Sequence, residues 1–141
     1  VVPGIDGRKM SKSYGNEIPF AASTDELRSR VRLMVTDPQR IKRTDPGRPE
    51  VCPVFVFHKL YSPDLLSCIE SECRSAGRGC VDCKKQLAQQ MVDALSDIHH
   101  RRQDLSSRPK DVYDILDDGA NRARQTAQST LERVRSVMHM K

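Results

Sequence analysis

Two lysines and two serines near the amino end of the chain have the types and spacing of a phosphate-binding loop. They belong to the run Lys9, Met10, Ser11, Lys12 and Ser13, which glycines flank on both sides. Lysine ammonium groups are compact charges on flexible stems, and hydroxyls add hydrogen-bond donors, so the set suits a polyphosphate. Such a loop can close over a nucleotide and bring positive charge to a departing pyrophosphate. A solvated basic loop without a ligand is the alternative that the spacing leaves open.

The second candidate site is a set of cysteines. Three of the five follow the pattern Cys73-x6-Cys80-x2-Cys83, and a Cys-x2-Cys pair at a helix start lies near free N–H groups that favour thiolates. For a fourth ligand we expect Cys52, which precedes Pro53 in a loop. Cys68 lies five residues before Cys73 in a predicted helix and points away at about 100° per residue. The spacing alone is equally compatible with zinc and with an iron–sulfur cluster. A third alternative is that the cysteines are free thiols that pack as small apolar residues.

Composition narrows the class of protein. The chain has 141 residues, about one domain, with 24 Lys and Arg against 19 Asp and Glu. The basic excess lies in residues 1–50 and around the cysteines, which indicates either a polyanion-binding face or a solvated helical surface. No apolar run approaches the roughly 18 residues of a membrane span. The absence of a signal-peptide pattern and the odd cysteine number favour a reducing cytoplasm, and the missing initiator Met suggests a piece of a longer protein.

The elements that must position these residues are helices, and we predict an all-α chain. Residues 1–22 form a loop region, and the helical part covers 23–141, beginning with a capping box of Ser23 and Glu26. Further helices are predicted from Pro53 to Tyr61, from Ser62 to about Arg74, from Cys80 for about six turns, and from Pro109 onward. The predicted core positions are Leu27, Val31, Met34, Val54, Phe57, Leu60, Leu87, Met91, Leu95, Ile98, Leu131 and Val134.

The residue identities add a resemblance to a known family. KMSKS resembles the second signature motif of class I aminoacyl-tRNA synthetases, and its flanks, GIDGRKMSKSYGN, are similar to the tryptophanyl branch, with the tyrosyl branch second. The likeness continues through TDP, DPG, CPVFVFHKLYS, GRGCVDCKKQL and GANRARQTAQSTLERVR. It covers essentially the whole chain, which resembles the C-terminal portion of these enzymes.

This resemblance implies an activity. Members of the branch join tryptophan to ATP, bound with Mg²⁺, as an aminoacyl-adenylate, release pyrophosphate, and transfer the tryptophanyl group to tRNA(Trp). Lys9 and Lys12 would stabilise charge on the phosphates, Ser11 and Ser13 would hold the triphosphate, and Met10 would seat the loop. The family's His-containing motif and its tryptophan pocket belong to a Rossmann half with no counterpart here, so we expect the 141 residues alone to be inactive.

The resemblance also bears on the cysteines and on tRNA. Some bacterial members are similar in carrying a [4Fe–4S] cluster on a lone Cys followed by Cys-x6-Cys-x2-Cys, which favours that cluster over zinc on Cys52, Cys73, Cys80 and Cys83. The gap of 20 residues after Cys52 is slightly shorter than in those relatives. The cluster would fix the turn at 74–79 and the helix starts. Candidate contacts to the tRNA anticodon are Arg74, Arg78, Lys84 and Lys85, followed by Arg40 and Arg43.

Two further expectations complete the sequence analysis. The family is typically a cytoplasmic homodimer, so the full protein is expected to be one, with no membrane association. The alternative to an enzyme is a non-catalytic, metal-clustered helical module that binds nucleic acid, in which the lysine loop is only an extra phosphate contact.

Overall fold

The computed structural model describes residues 1–140, which contain five α-helices. Helix α1 spans Thr24–Leu33, α2 Pro53–Tyr61, α3 Leu66–Arg74, α4 Cys80–Ser107 and α5 Pro109–Val137. Single 3₁₀ turns lie at Lys12–Tyr14, Pro49–Val51 and Pro63–Leu65. Residues 1–140 contain no strand; an isolated antiparallel bridge pairs Pro3 with Lys9. The prediction of an all-α chain is confirmed. None of the helices in this part of the chain combines the length and apolar character that crossing a bilayer requires.

Local capping signals set the helix starts. The Ser23 hydroxyl accepts a hydrogen bond from the Glu26 N–H at 3.2 Å and so opens α1, as the capping box predicts. Pro53 opens α2 and Pro109 opens α5, because proline lacks the N–H that a first helical turn leaves unpaired. Helix α4 is longer than the predicted six turns, since its 28 residues continue to Ser107.

The core lies between α1, α2 and α4. The buried apolar residues of these helices include Leu27, Val31, Val54, Phe57, Leu87, Met91 and Leu95. Ile18 and Ala22, which precede α1, belong to the same apolar cluster. Leu60 was predicted to point inward, but it is 58% exposed. At about 100° per residue Leu60 lies about 120° around the helix from Val54, at the edge of the buried face in the last turn of α2.

The chain divides into two compact units, Val1–His99 and the residues from His100 onward. In the second unit α5 has no buried residue. The predictions that Leu131 and Val134 lie in a core are therefore wrong, since they are 52% and 45% exposed, and Ile98, at the end of the first unit, is 47% exposed. An apolar stripe is buried only where a second apolar surface covers it, and the second unit by itself buries no residue of α5. The boundary at residue 22 stays a prediction.

Candidate functional site

A buried asparagine holds the base of the lysine loop. Asn16 is 2% exposed, and its Oδ1 accepts a hydrogen bond from the Ser11 N–H at 2.8 Å. Its Nδ2 donates to Asp6 Oδ1 at 2.8 Å and to the Lys9 carbonyl at 3.2 Å. Arg30 of α1 donates to the Gly15 carbonyl at 2.9 Å. The two ends of the loop are thereby fixed to each other and to the first helix.

The tip of the loop carries the predicted phosphate ligands. Lys9, Lys12 and Ser13 are exposed, whereas Met10 and Ser11 are half-buried. Met10 packs against the apolar core. Neither lysine forms an ion pair with any residue of 1–140. The two ammonium groups are therefore available to an anionic ligand, on a loop whose methionine anchors it to the core.

A tight turn at the base of this loop packs against the start of α2. Gly7 has a φ of +81°, in the left-handed region that favours glycine. A Cβ at Gly7 would lie 3.2 Å from Val35 Cγ2 and 3.5 Å from Pro53 Cγ. The Val35 N–H also donates to the Ile5 carbonyl at 2.8 Å. Because Pro53 directly follows Cys52, the base of the lysine loop rests on the segment that carries one of the predicted thiols.

Four cysteines surround one small cavity. Cys52, Cys73, Cys80 and Cys83 all line a space of about 30 Å³, together with Thr36, Val54, Arg40 and Arg78. Cys68 is exposed and does not line it. Within residues 1–140, no group of three or more Cys, His, Asp or Glu side chains stands close enough together to hold one metal ion. The thiols thus surround a common space without converging on a single point.

The thiols of this cavity differ from the sequence-based expectation in their protonation. Burial raises the pKa values of Cys52 and Cys73, and it raises the pKa of Cys83 to about 12. The positive charge of Arg78 acts in the opposite direction on the pKa of Cys83 but is outweighed. For Cys83, the second thiol of the Cys-x2-Cys pair, the prediction that the helix start favours a thiolate is therefore wrong.

Two side chains that sequence reasoning did not connect to the cysteines contact them. Arg40 Nη1 lies 3.9 Å from Cys73 Sγ, and Arg40 Nη2 donates to the Arg78 carbonyl at 2.7 Å. Arg40 Nε is buried without a hydrogen-bond partner in residues 1–140. His58, fully buried, places Nε2 3.3 Å from Cys83 Sγ. Burial lowers the pKa of His58, which favours the neutral form of its ring.

The predicted tRNA contacts fall into two groups. Arg74 pairs with Glu70 at 2.9 Å and Glu50 at 3.1 Å. The Arg78 side chain is 17% exposed and pairs with Glu72 at 2.5 Å, and it also binds Gln86. Lys84 and Lys85 instead line an open groove between α1 and α4, together with Arg28 and Arg32. Of this set, the two lysines have the freer charges.

Comparison with a protein-family model identifies the class of protein to which this chain belongs. The family model described as "tRNA synthetases class I (W and Y)" matches residues 1–96. This range contains the lysine loop and all four cavity cysteines. The chain belongs to this family of class I tRNA synthetases.

Comparison with individual proteins identifies the branch of this family that the chain resembles. The chain is 44% identical to the tryptophan–tRNA ligase of Aquifex aeolicus and 41% identical to that of Thermotoga maritima, over 99% of its own length in both cases. It matches the crystal structure of the tryptophanyl-tRNA synthetase from Campylobacter jejuni, complexed with ADP and tryptophan, with a TM-score of 0.89 and 28% identity, over 99% of this chain and 44% of that one. The chain spans 36% and 43% of the lengths of the first two relatives. The predicted resemblance to the tryptophanyl branch is confirmed.

Proposed function

We propose that this chain is part of a tryptophan–tRNA ligase and supplies the loop that acts on the phosphates of ATP. The observation that carries the proposal is the exposed pair Lys9 and Lys12 on a loop whose base Asn16 fixes. The similarity to tryptophan–tRNA ligases over 99% of the chain supports the choice of substrate. ATP with Mg²⁺, tryptophan and tRNA(Trp) are the ligands of the complete enzyme.

In the proposed reaction a carboxylate oxygen of tryptophan attacks the α-phosphorus of ATP. One P–O bond forms to the carboxylate, and the bond to the bridging oxygen breaks, so that pyrophosphate leaves and tryptophanyl-adenylate remains. Lys9 and Lys12 neutralise the charge that builds on the departing phosphates. The hydroxyls of Ser11 and Ser13 donate to phosphate oxygens, and Met10 holds the loop against the core. In such a displacement, most of the rate enhancement comes from positioning the reactants and from stabilising the charge on the phosphates.

Amino-acid-dependent exchange of pyrophosphate into ATP tests this function. The assay uses the complete protein of which the chain is proposed to be part, with each amino acid offered in turn. Exchange that depends on tryptophan is expected, and the 141 residues alone should give none. Exchange with tyrosine, or with no amino acid at all, would overturn the proposal.

We propose that the thiols of the cysteine cavity hold a [4Fe–4S] cluster, a proposal that the donor set supports. Cys52, Cys73, Cys80 and Cys83 surround one space, and Arg40 and Arg78 line it with positive charge that suits an anionic thiolate cluster. The buried Arg40 Nε without a partner is a donor that a cluster sulfur would satisfy. Cys52 before α2, Cys73 at the end of α3, and Cys80 and Cys83 at the start of α4 would hold the cluster, which would cross-link these three segments through iron–thiolate bonds. Its role is structural, because metal binding contributes folding free energy; zinc is the alternative.

Anaerobic purification with metal and sulfide analysis tests the cluster. The expected result is about four irons and four sulfides per chain, with a broad absorbance in the visible range. Cys80→Ala should abolish the absorbance, whereas Cys68→Ser, outside the cavity, should retain it. A colourless protein with one zinc would contradict the iron–sulfur assignment.

The remaining proposals concern assembly. The complete enzyme is proposed to be a cytoplasmic homodimer in which residues 1–22 close the catalytic part and residues 23–141 form the part that faces tRNA. The formal charge of +5 supports a polyanionic partner. Sedimentation of the complete protein tests the dimer, and a monomer at micromolar concentration would contradict it.

A further inference from the structure

A buried histidine contacts one of the cavity thiols without lining the cavity itself. His58 lies in α2, is fully buried, and is absent from the lining of the space that the four cysteines surround. Its Nε2 lies 3.3 Å from the Sγ of Cys83, in the first turn of α4. The imidazole is thus placed as a neighbour of a proposed cluster ligand and not as a ligand.

The hydrogen bonds of the ring show which nitrogen faces the sulfur as a donor. Nε2 of His58 also lies 3.3 Å from the Cys83 carbonyl oxygen, which can only accept, so Nε2 carries a hydrogen. Nδ1 lies 3.1 Å from the Oγ of Ser62, which is 3% exposed. The backbone adds a second tie, because the Ser62 N–H donates to the His58 carbonyl at 2.8 Å. A ring bound at both nitrogens keeps its orientation, with an N–H held at the Cys83 sulfur.

A cysteine and a histidine at this distance also resemble the pair that activates a nucleophilic thiol. In such a pair the histidine accepts the proton of the thiol. Here Nε2 already carries a hydrogen toward the Cys83 carbonyl, and the sulfur shares its cavity with three other cysteines, Cys52, Cys73 and Cys80. This setting is that of a ligand sulfur that receives a hydrogen bond, and not that of a lone nucleophile.

From this geometry we infer that His58 is a positioning residue for the iron–sulfur cluster, whose Nε2–H donates to the Cys83 sulfur and favours the reduced cluster. The inference rests on the proposed cluster. A hydrogen bond to a ligand sulfur withdraws electron density from it and stabilises added negative charge, so it raises the reduction potential. The cluster keeps its structural role, and the histidine sets how readily it accepts an electron. Ser62 contributes by holding the ring in place.

The test measures the reduction potential of the cluster in the complete, anaerobically purified protein, with dithionite as the one-electron reductant and redox dyes as mediators. His58→Leu removes the donor, and we expect the equilibrium constant for reduction to fall about tenfold, which is a potential lower by about 59 mV for one electron. His58→Gln retains an N–H donor and should stay within about threefold of the unvaried protein. His100→Leu, at an exposed histidine outside the cavity, is the matched control and should leave the potential unchanged.

Iron and sulfide analysis of each variant separates the possible outcomes. Equal potentials in His58→Leu and the unvaried protein, both with full iron content, would overturn the inference and leave the cluster intact. Loss of iron from folded His58→Leu and His58→Gln alike would identify the histidine as a ligand and would also overturn it. If His58→Leu does not fold, Ser62→Ala decides: it releases the ring at Nδ1 and should lower the potential, and an unchanged potential would contradict the inference. An unvaried protein without iron and sulfide would overturn the proposed cluster, and this inference with it.

Discussion

Gly47 lies directly against Cys73. The Gly47 N–H donates to the Cys73 carbonyl at 2.9 Å, and a Cβ on Gly47 would lie 2.5 Å from Cys73 Sγ. A side chain at position 47 therefore cannot be accommodated without moving the thiol. Glycine is required here by close approach of the backbone to a side chain, because the position leaves no room for a methyl group.

The first prediction follows from this contact. Gly47→Ala should displace Cys73 Sγ and reduce the iron content of the anaerobically purified protein by at least about half, because ligand positions tolerate only small shifts. Gly77→Ala is the matched control, since its Cβ would meet its nearest neighbour, Ser75 Oγ, at an ordinary 3.4 Å. Iron analysis with visible absorbance provides the measurement. Equal iron in the two variants would contradict the assignment of Cys73 as a ligand.

The second prediction concerns the base of the lysine loop. Asn16→Ala removes the buried amide that binds Ser11, Asp6 and Lys9. We expect the free energy of unfolding to fall by about 1 to 3 kcal/mol, because the buried partners lose their hydrogen bonds. Denaturant unfolding measures this change, and hydrogen exchange at the Ser11 amide should accelerate. Ser13→Ala, at an exposed position, should stay within about 0.5 kcal/mol of the unvaried chain; an equal loss in both variants would refute the anchoring role.

The third prediction concerns pH. Arg48 donates from Nη2 to Asp37 Oδ1 at 2.7 Å and from its backbone N–H to Asp37 Oδ2 at 3.0 Å. The side-chain bond from Arg48 is the main reason that the pKa of Asp37 lies well below its usual range. The folded state thus prefers the carboxylate. Its stabilisation is fully present above the unfolded-state pKa of about 3.9 and is lost as the pH falls toward the lower folded-state value.

The free energy of unfolding of Asp37→Asn, compared with that of the unvaried chain at several pH values, tests this pH dependence. The gap in unfolding free energy should be largest near pH 7 and should shrink as the pH falls below about 4. Asp64→Asn, at an exposed position on the turn before α3, serves as the control and should show little gap at any pH. A gap for Asp37→Asn that stays constant from pH 7 to pH 3 would show that the carboxylate charge does not contribute.

The parts of the fold that local chemistry decides could be predicted from the sequence. The bounds of α2, Pro53–Tyr61, agree with the prediction because Pro53 sets one end, and the capping bond of Ser23 sets the start of α1. The exposure of Leu60, Leu131 and Val134, by contrast, could not be predicted in this way. Whether an apolar residue is buried depends on which distant element covers it, and periodicity does not contain that information.

The same distinction applies to the site. Helical geometry separates Cys68 from Cys73, and the structure indeed leaves Cys68 outside the cavity. The contacts of Arg40 with Cys73 and of His58 with Cys83 join residues 33 and 25 positions apart, so no local pattern indicates them.

The rate of tryptophanyl-adenylate formation by the complete protein carrying Lys12→Ala tests the central claim most directly. Because the ammonium acts on charge that develops as pyrophosphate departs, we expect this rate to fall by about 100-fold or more. The affinity for tryptophan should change by less than about threefold, and Lys42→Ala, a lysine outside the loop, should leave the rate unchanged. A Lys12→Ala protein that forms the adenylate at the unvaried rate, or that loses only tryptophan affinity, would contradict the account.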